Sequence, residues 1–143
     1  MDDSSGNIDQ QLLAAYRNTT YRVFTPDLAI RIGIDNDELN TFLFDNNAFS
    51  WAFISAANPG SEEQLPASIN QKRHQQLIQQ VLEGRWRYCE AAGQPDSADW
   101  QPEPSLLILD ISQQEALALG RAFQQKAIVF GLFEQPGVLL FCH

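Results

Sequence analysis

At 143 residues the chain is long enough to bury one self-sufficient core, and 44% hydrophobic with 19% charged residues excludes a disordered polymer. The formal charge of −9, from 18 acidic against 9 basic side chains, argues against nucleic acid as a partner, since Lys72, Arg73, Arg85 and Arg87 cluster only weakly. Cys89 and Cys142 are too few for a disulfide framework and lack metal-ligand spacing. No apolar run approaches the ~18 residues of a membrane span, and Met1-Asp2-Asp3-Ser4-Ser5-Gly6 is the opposite of a signal peptide, so a cytoplasmic protein with no membrane segment is expected.

Residues 1–8 read as a flexible tail and 9–143 as a single globular domain. Asp9 is placed to cap a first helix running to about Arg17, with Leu12, Leu13 and Tyr16 on one face. The runs Thr20–Phe24 and Leu28–Ile34 flank Thr25-Pro26-Asp27 and predict a β-hairpin, with Ile30, Ile32 and Ile34 on one face. Asp35 and Glu38 form a capping-box-like pair before a short helix that buries Leu39, Phe42 and Leu43.

The nearly unbroken apolar run Trp51–Ala57 fits a strand buried on both faces. It ends in Asn58-Pro59-Gly60-Ser61 and turns through Glu62-Glu63-Gln64-Leu65, after which Pro66 opens a long helix stopped by Gly84. Arg85–Ala91 reads as a strand and 93–102 as a loop. Ser105–Ile111 is the second strongly apolar strand, and Ser112 with Glu115 forms a capping box for the helix that follows. Ala127–Phe133 and Val138–Cys142 make a closing hairpin around Pro136-Gly137, with the last strand reaching His143. This order predicts an α/β fold of α+β kind, a mixed sheet of about six to seven strands with roughly four helices packed on it.

Arg73 stands out along the third helix, in line with Ile69, Leu77 and Val81 on an otherwise glutamine-rich surface. An inward guanidinium needs a carboxylate, carbonyls or a bound anion, although a snorkelling arginine gives the same pattern. Asn58-Pro59-Gly60-Ser61 offers amides and hydroxyls in a constrained backbone, and is equally an ordinary strand-to-helix turn. Glu103 and Ser105 stand where the second apolar strand begins. If the two apolar strands run antiparallel, they share a sheet edge with Asn58 and Ser61. Glu103 would then pair with Arg73 or act as a general base. Gln124 or Gln125 would reach the same pocket from the end of the last helix. Trp100 would line a pocket or simply pack, and His74 reads as a surface residue.

Tyr21-Arg22-Val23, the run Ala52–Ser61, Asn70 with Arg73, Glu103-Pro104-Ser105, and Phe123-Gln124 followed by Ala127-Ile128-Val129 are similar to the bacterial family catalogued as domain of unknown function 3293. The resemblance implies a small bacterial cytosolic protein and no particular activity. The residues themselves point to a binding domain for a small polar or anionic ligand, with catalysis left open. The candidate ligand-binding residues are Asn58, Ser61, Arg73, Glu103, Ser105 and Gln124. No metal site and no cofactor is indicated. The alternative is a non-catalytic interaction or regulatory module that meets a protein partner through the acidic first half or an edge strand at Val138–Phe141.

Overall fold

Alternation along the strands sorts the sheet into two faces, and each face meets its own pair of helices. The computed structural model describes the backbone of residues 4–61, 63–97 and 99–142 and the side chains of 10–60, 63–97 and 99–142. In chain order the elements are α1 (Ser4–Arg17), β1 (Thr19–Val23), β2 (Leu28–Ile30), α2 (Asp37–Asp45), β3 (Ser50–Ser55), α3 (Ala67–Glu83), β4 (Arg87–Pro95), β5 (Glu103–Leu109), α4 (Gln113–Ala122), β6 (Ala127–Leu132) and β7 (Val138–Phe141), with a 3-10 turn at Pro59–Ser61.

The strands form one sheet in the order β2-β1-β4-β5-β3-β6-β7. Seven strands and four helices agree with the α+β class expected. The pairing corrects the mixed sheet, because every neighbouring pair is antiparallel. The crossovers through α3 and α4 do join strands of the same direction, as a β-α-β reading requires. Each pair is split, however: β5 lies between β3 and β4, and β3 lies between β5 and β6. Residues from β3 to β6 thus form the doubled split β-α-β arrangement called ferredoxin-like. The segment α1-β1-β2-α2 precedes it and adds two strands to one edge.

On one face Ala52, Ile54, Leu106, Ile108, Ile128 and Phe130 pack against Leu77 and Val81 of α3 and Ala116 and Leu119 of α4. The opposite face carries Trp51, Phe53, Tyr21, Val23, Leu107 and Val129 under Leu39 and Leu43 of α2, with Tyr16 of α1 alongside. Trp51 is wholly buried because Gly131 and Gly137 make room; a Cβ at either would fall 2.4 or 2.7 Å from its ring. The two faces follow from the register, since residues opposite one another in antiparallel strands point the same way.

Several local expectations change in the folded chain. α1 starts at Ser4, taking in residues read as tail, while Met1, Asp2 and Asp3 lie outside the described residues. α2 is capped by Asn36, whose side chain accepts from Leu39 N–H at 3.0 Å, in place of Asp35. Ile34 is exposed, so of the three isoleucines expected on one face only Ile30 and Ile32 are buried. β4 runs on to Pro95 because Gly93, Gln94 and Pro95 pair with Tyr21, Thr20 and Thr19 of β1. The Ser112–Glu115 capping box forms as expected. Glu62 and His143, read as part of a turn and as the last strand's end, lie outside the described residues.

Candidate functional site

β3 and β5 are antiparallel neighbours with Ser55 opposite Ser105, which brings the chain beyond β3 beside the start of β5. Asn58 is buried there with a left-handed backbone (φ 48°), a conformation asparagine tolerates better than most residues. Its N–H donates to Asn70 Oδ1 at 3.0 Å, and its Oδ1 accepts from Asn70 Nδ2 and Leu65 N–H, both at 2.8 Å. Asn58 Nδ2 therefore faces Glu103 and donates to Oε1 at 2.9 Å. Trp100 Nε1 donates to the same oxygen at 3.0 Å. Two donors on one oxygen hold the carboxylate in place and leave Oε2 with no hydrogen-bond partner among the described residues.

Arg73 points inward as expected, and of the partners expected for it the structure gives carbonyls. Nε donates to Ala56 O at 2.6 Å, and Nη2 to Phe123 O at 2.6 Å and Gln124 Oε1 at 2.9 Å. The guanidinium thus ties the end of β3 to the C-terminus of α4, where cationic groups are favoured. The expected Arg73–Glu103 pair does not form. The buried stripe of α3 is Asn70, His74, Leu77 and Val81, one step round from the expected one, and Ile69 is exposed. His74 is correspondingly buried, with Nε2 2.6 Å from Glu90 Oε1 and Nδ1 unpartnered.

A cavity of about 470 Å³ opens between α1, the sheet and the loop after β4. It exists because this patch of the α1-side face carries small residues: Gly93, Ser55, Ser105 and Ala127 all line it. Tyr16, Tyr21, Phe53 and Trp100 supply aromatic walls, with Glu103 and Gln125 among the polar lining groups. Burial, then the nearby Glu103 carboxylate, pushes the Tyr16 phenol well above its ordinary range. Tyr21 shifts the same way, through burial first and Tyr16 next. Both phenols stay protonated as donors.

The candidates divide. Glu103 and Ser105 line the cavity, with Trp100 beside them. Asn58 is hydrogen-bonded to Glu103, while Arg73 and Gln124 form a separate brace between the end of β3 and α4. Ser61 sits in the 3-10 turn, and its side chain lies outside those described. Of the two glutamines, Gln125 is buried and lines the cavity, while Gln124 is exposed. Tyr21 was among the family-like residues, yet neither it nor Tyr16 was legible as a cavity wall; the aromatic pair and the glycine opposite Tyr21 are the signals that point there. Among the described residues no group of three His, Cys, Asp or Glu is placed to hold a metal, and no helix is long and apolar enough to cross a membrane.

A family model described as a protein of unknown function (DUF3293) matches residues 54–128, more than half of the chain. The chain belongs to that family. The match spans the end of β3 to the start of β6 and so includes Asn58, Arg73, Glu103, Ser105 and Gln124. No curated protein and no solved structure matches.

Proposed function

For this member of the DUF3293 family, we propose a small-ligand-binding domain whose polar ligand occupies the cavity between α1 and the sheet. The observation that carries the reading is a carboxylate, Glu103, held by two donors through Oε1 in an aromatic-walled cavity of about 470 Å³. Ligand sites are typically of this size, mostly apolar, with a few fixed polar groups. In this reading Glu103 and Ser105 face the ligand. Asn58 positions Glu103, Arg73 and Gln124 secure the end of β3 against α4, and Ser61 belongs to the adjoining turn. Glu103 would also accept a proton from a bound substrate, so general-base chemistry is the reaction class to assay first.

The test is a thermal-shift screen of polar metabolites on the wild-type chain and on Gly93→Val. A Cβ at Gly93 meets only Thr19 Cγ2, at 3.8 Å, and it points to the cavity face, so valine intrudes on space that glycine leaves open. A compound that raises Tm in wild type and not in Gly93→Val is the expected result. Compounds that shift both alike, or none that shifts wild type, would remove the cavity as the binding site.

The interaction-module alternative has one observation in its favour: β7 is a sheet edge, with Val138 and neighbouring Leu132 about half exposed (49% and 46%). Size-exclusion chromatography and pull-down with a Val138→Lys variant separate the two readings.

A further inference from the structure

The cavity's hydrogen-bonding groups are strongly biased. Tyr16 donates its hydroxyl to Ala127 O at 3.1 Å and Tyr21 donates to Tyr16 O at 3.0 Å. Thr19 donates to Ala15 O, Ser55 to Pro104 O and Ser105 to Glu103 O, at 2.8, 3.0 and 2.9 Å. Trp100 Nε1 is spent on Glu103, and Gln125 Nε2 donates to Ala57 O and Phe123 O at 3.0 and 3.2 Å. Since every acceptor here is a carbonyl or a carboxylate, none of these bonds can run the other way. What remains for an occupant is acceptor capacity: Glu103 Oε2, Gln125 Oε1 and phenol lone pairs. Asn18 and Ser97, both exposed, are the lining side chains whose donors stay uncommitted among the described residues.

The charge has the same sign. Among the described residues, Glu103 and Asp99 are the ionisable carboxylates of the lining, and no arginine, lysine or histidine lines the cavity. Arg31, whose charge reaches Tyr21, is engaged by Asp96 and the Arg17 carbonyl. Arg73 faces the α4 carbonyls. An anion would meet carboxylates and lone pairs with only the exposed Asn18 and Ser97 donors to offset them, whereas a cation finds both acceptors and aromatic rings.

We propose that the occupant is an organic amine in its ammonium form on an apolar body, the ammonium against Glu103 Oε2 and the body among Tyr16, Tyr21, Phe53 and Trp100. This deepens the cavity reading and rests on it. It replaces the anion expected from Arg73 with a cation, because Arg73 is committed elsewhere.

Three probes of similar body and different charge decide the matter: 2-phenylethylamine, 2-phenylethanol and 3-phenylpropanoate, titrated against the wild-type chain by saturation-transfer NMR at neutral pH. The amine should bind, the alcohol about tenfold more weakly, and the carboxylate weakest of all. Glu103→Gln keeps an oxygen for Asn58 and Trp100, and should weaken the amine about tenfold while leaving the alcohol unchanged. Asp99→Asn, at an exposed position, serves as the second variant and should weaken the amine by about twofold. Should the alcohol or carboxylate bind as tightly as the amine, with binding abolished by Gly93→Val, the cation assignment fails and the cavity reading stands. No binding by any probe overturns the amine proposal, and the thermal-shift screen then decides the cavity reading by itself.

Discussion

The two faces of the sheet come from the same strands and meet different fates. On the α3–α4 side, Ile54 and Leu106 belong to a well-filled cluster of buried hydrophobic residues. One residue along each strand, Ser55 and Ser105 face the opposite way and line a cavity under α1. The difference is side-chain volume rather than topology. Small residues under α1 leave a hole, and their hydroxyls avoid the cost of burial by donating to nearby carbonyls. The filled face holds the fold together, and the hollow face is free to hold something else.

Mutations should separate these roles. The largest effect belongs to the filled face: Leu77→Ala, at a fully buried position, should lose about 2–5 kcal/mol in urea denaturation through lost burial and the cavity left behind. Asn58→Ala comes next, with about 2–3 kcal/mol lost, because Leu65 N–H, the Asn70 amide and Glu103 all lose a partner and alanine is less tolerant of φ 48°. If that loss stayed near zero, the brace would be incidental to the fold. Gly93→Val on the hollow face should change stability by no more than about 1 kcal/mol while abolishing ligand-induced shifts in Tm. A large loss there would mean that the space is already needed by the protein itself.

The smallest effect is confined to high pH. Tyr16 and Tyr21 have folded pKa values raised above the ordinary 10.0, so their protonated forms are favoured by folding. Below pH 10.0 both states are neutral at these groups and their contribution is fully present; above it the unfolded chain releases protons that the folded chain retains, and stability falls as pH rises. Tyr16→Phe should flatten that alkaline decline in equilibrium unfolding, and an unchanged slope would show that Tyr16 is not held in the protonated form.

Much of the site was legible in residue order. The two apolar strands, the polar turn after the first and the Glu103 start of the second were plain, and antiparallel pairing was the single condition for joining them. The Asn58–Glu103 hydrogen bond meets that condition. Arg73 is legible as inward-facing, with a carboxylate, carbonyls or an anion as partner, but which of these it meets is not, because a guanidinium satisfied by backbone carbonyls has no signature in the sequence. His74 was misplaced for a related reason. Helical periodicity proposes adjacent stripes, and Asn70 and His74 prefer burial only because Asn58 and Glu90 arrive from other elements.

Taken alone, the amino-acid order determined most of the strand and helix segments and the Ser112–Glu115 capping box, since alternation, caps and turns act over a few neighbouring residues. Tertiary packing decided that β5 and β3 split the two crossovers, that α1 covers a patch of small residues, and that nearly every buried donor there is spent inward. Those outcomes depend on groups far apart in the chain meeting at hydrogen-bond distance, as Tyr16 and Ala127 do. No local pattern carries that information.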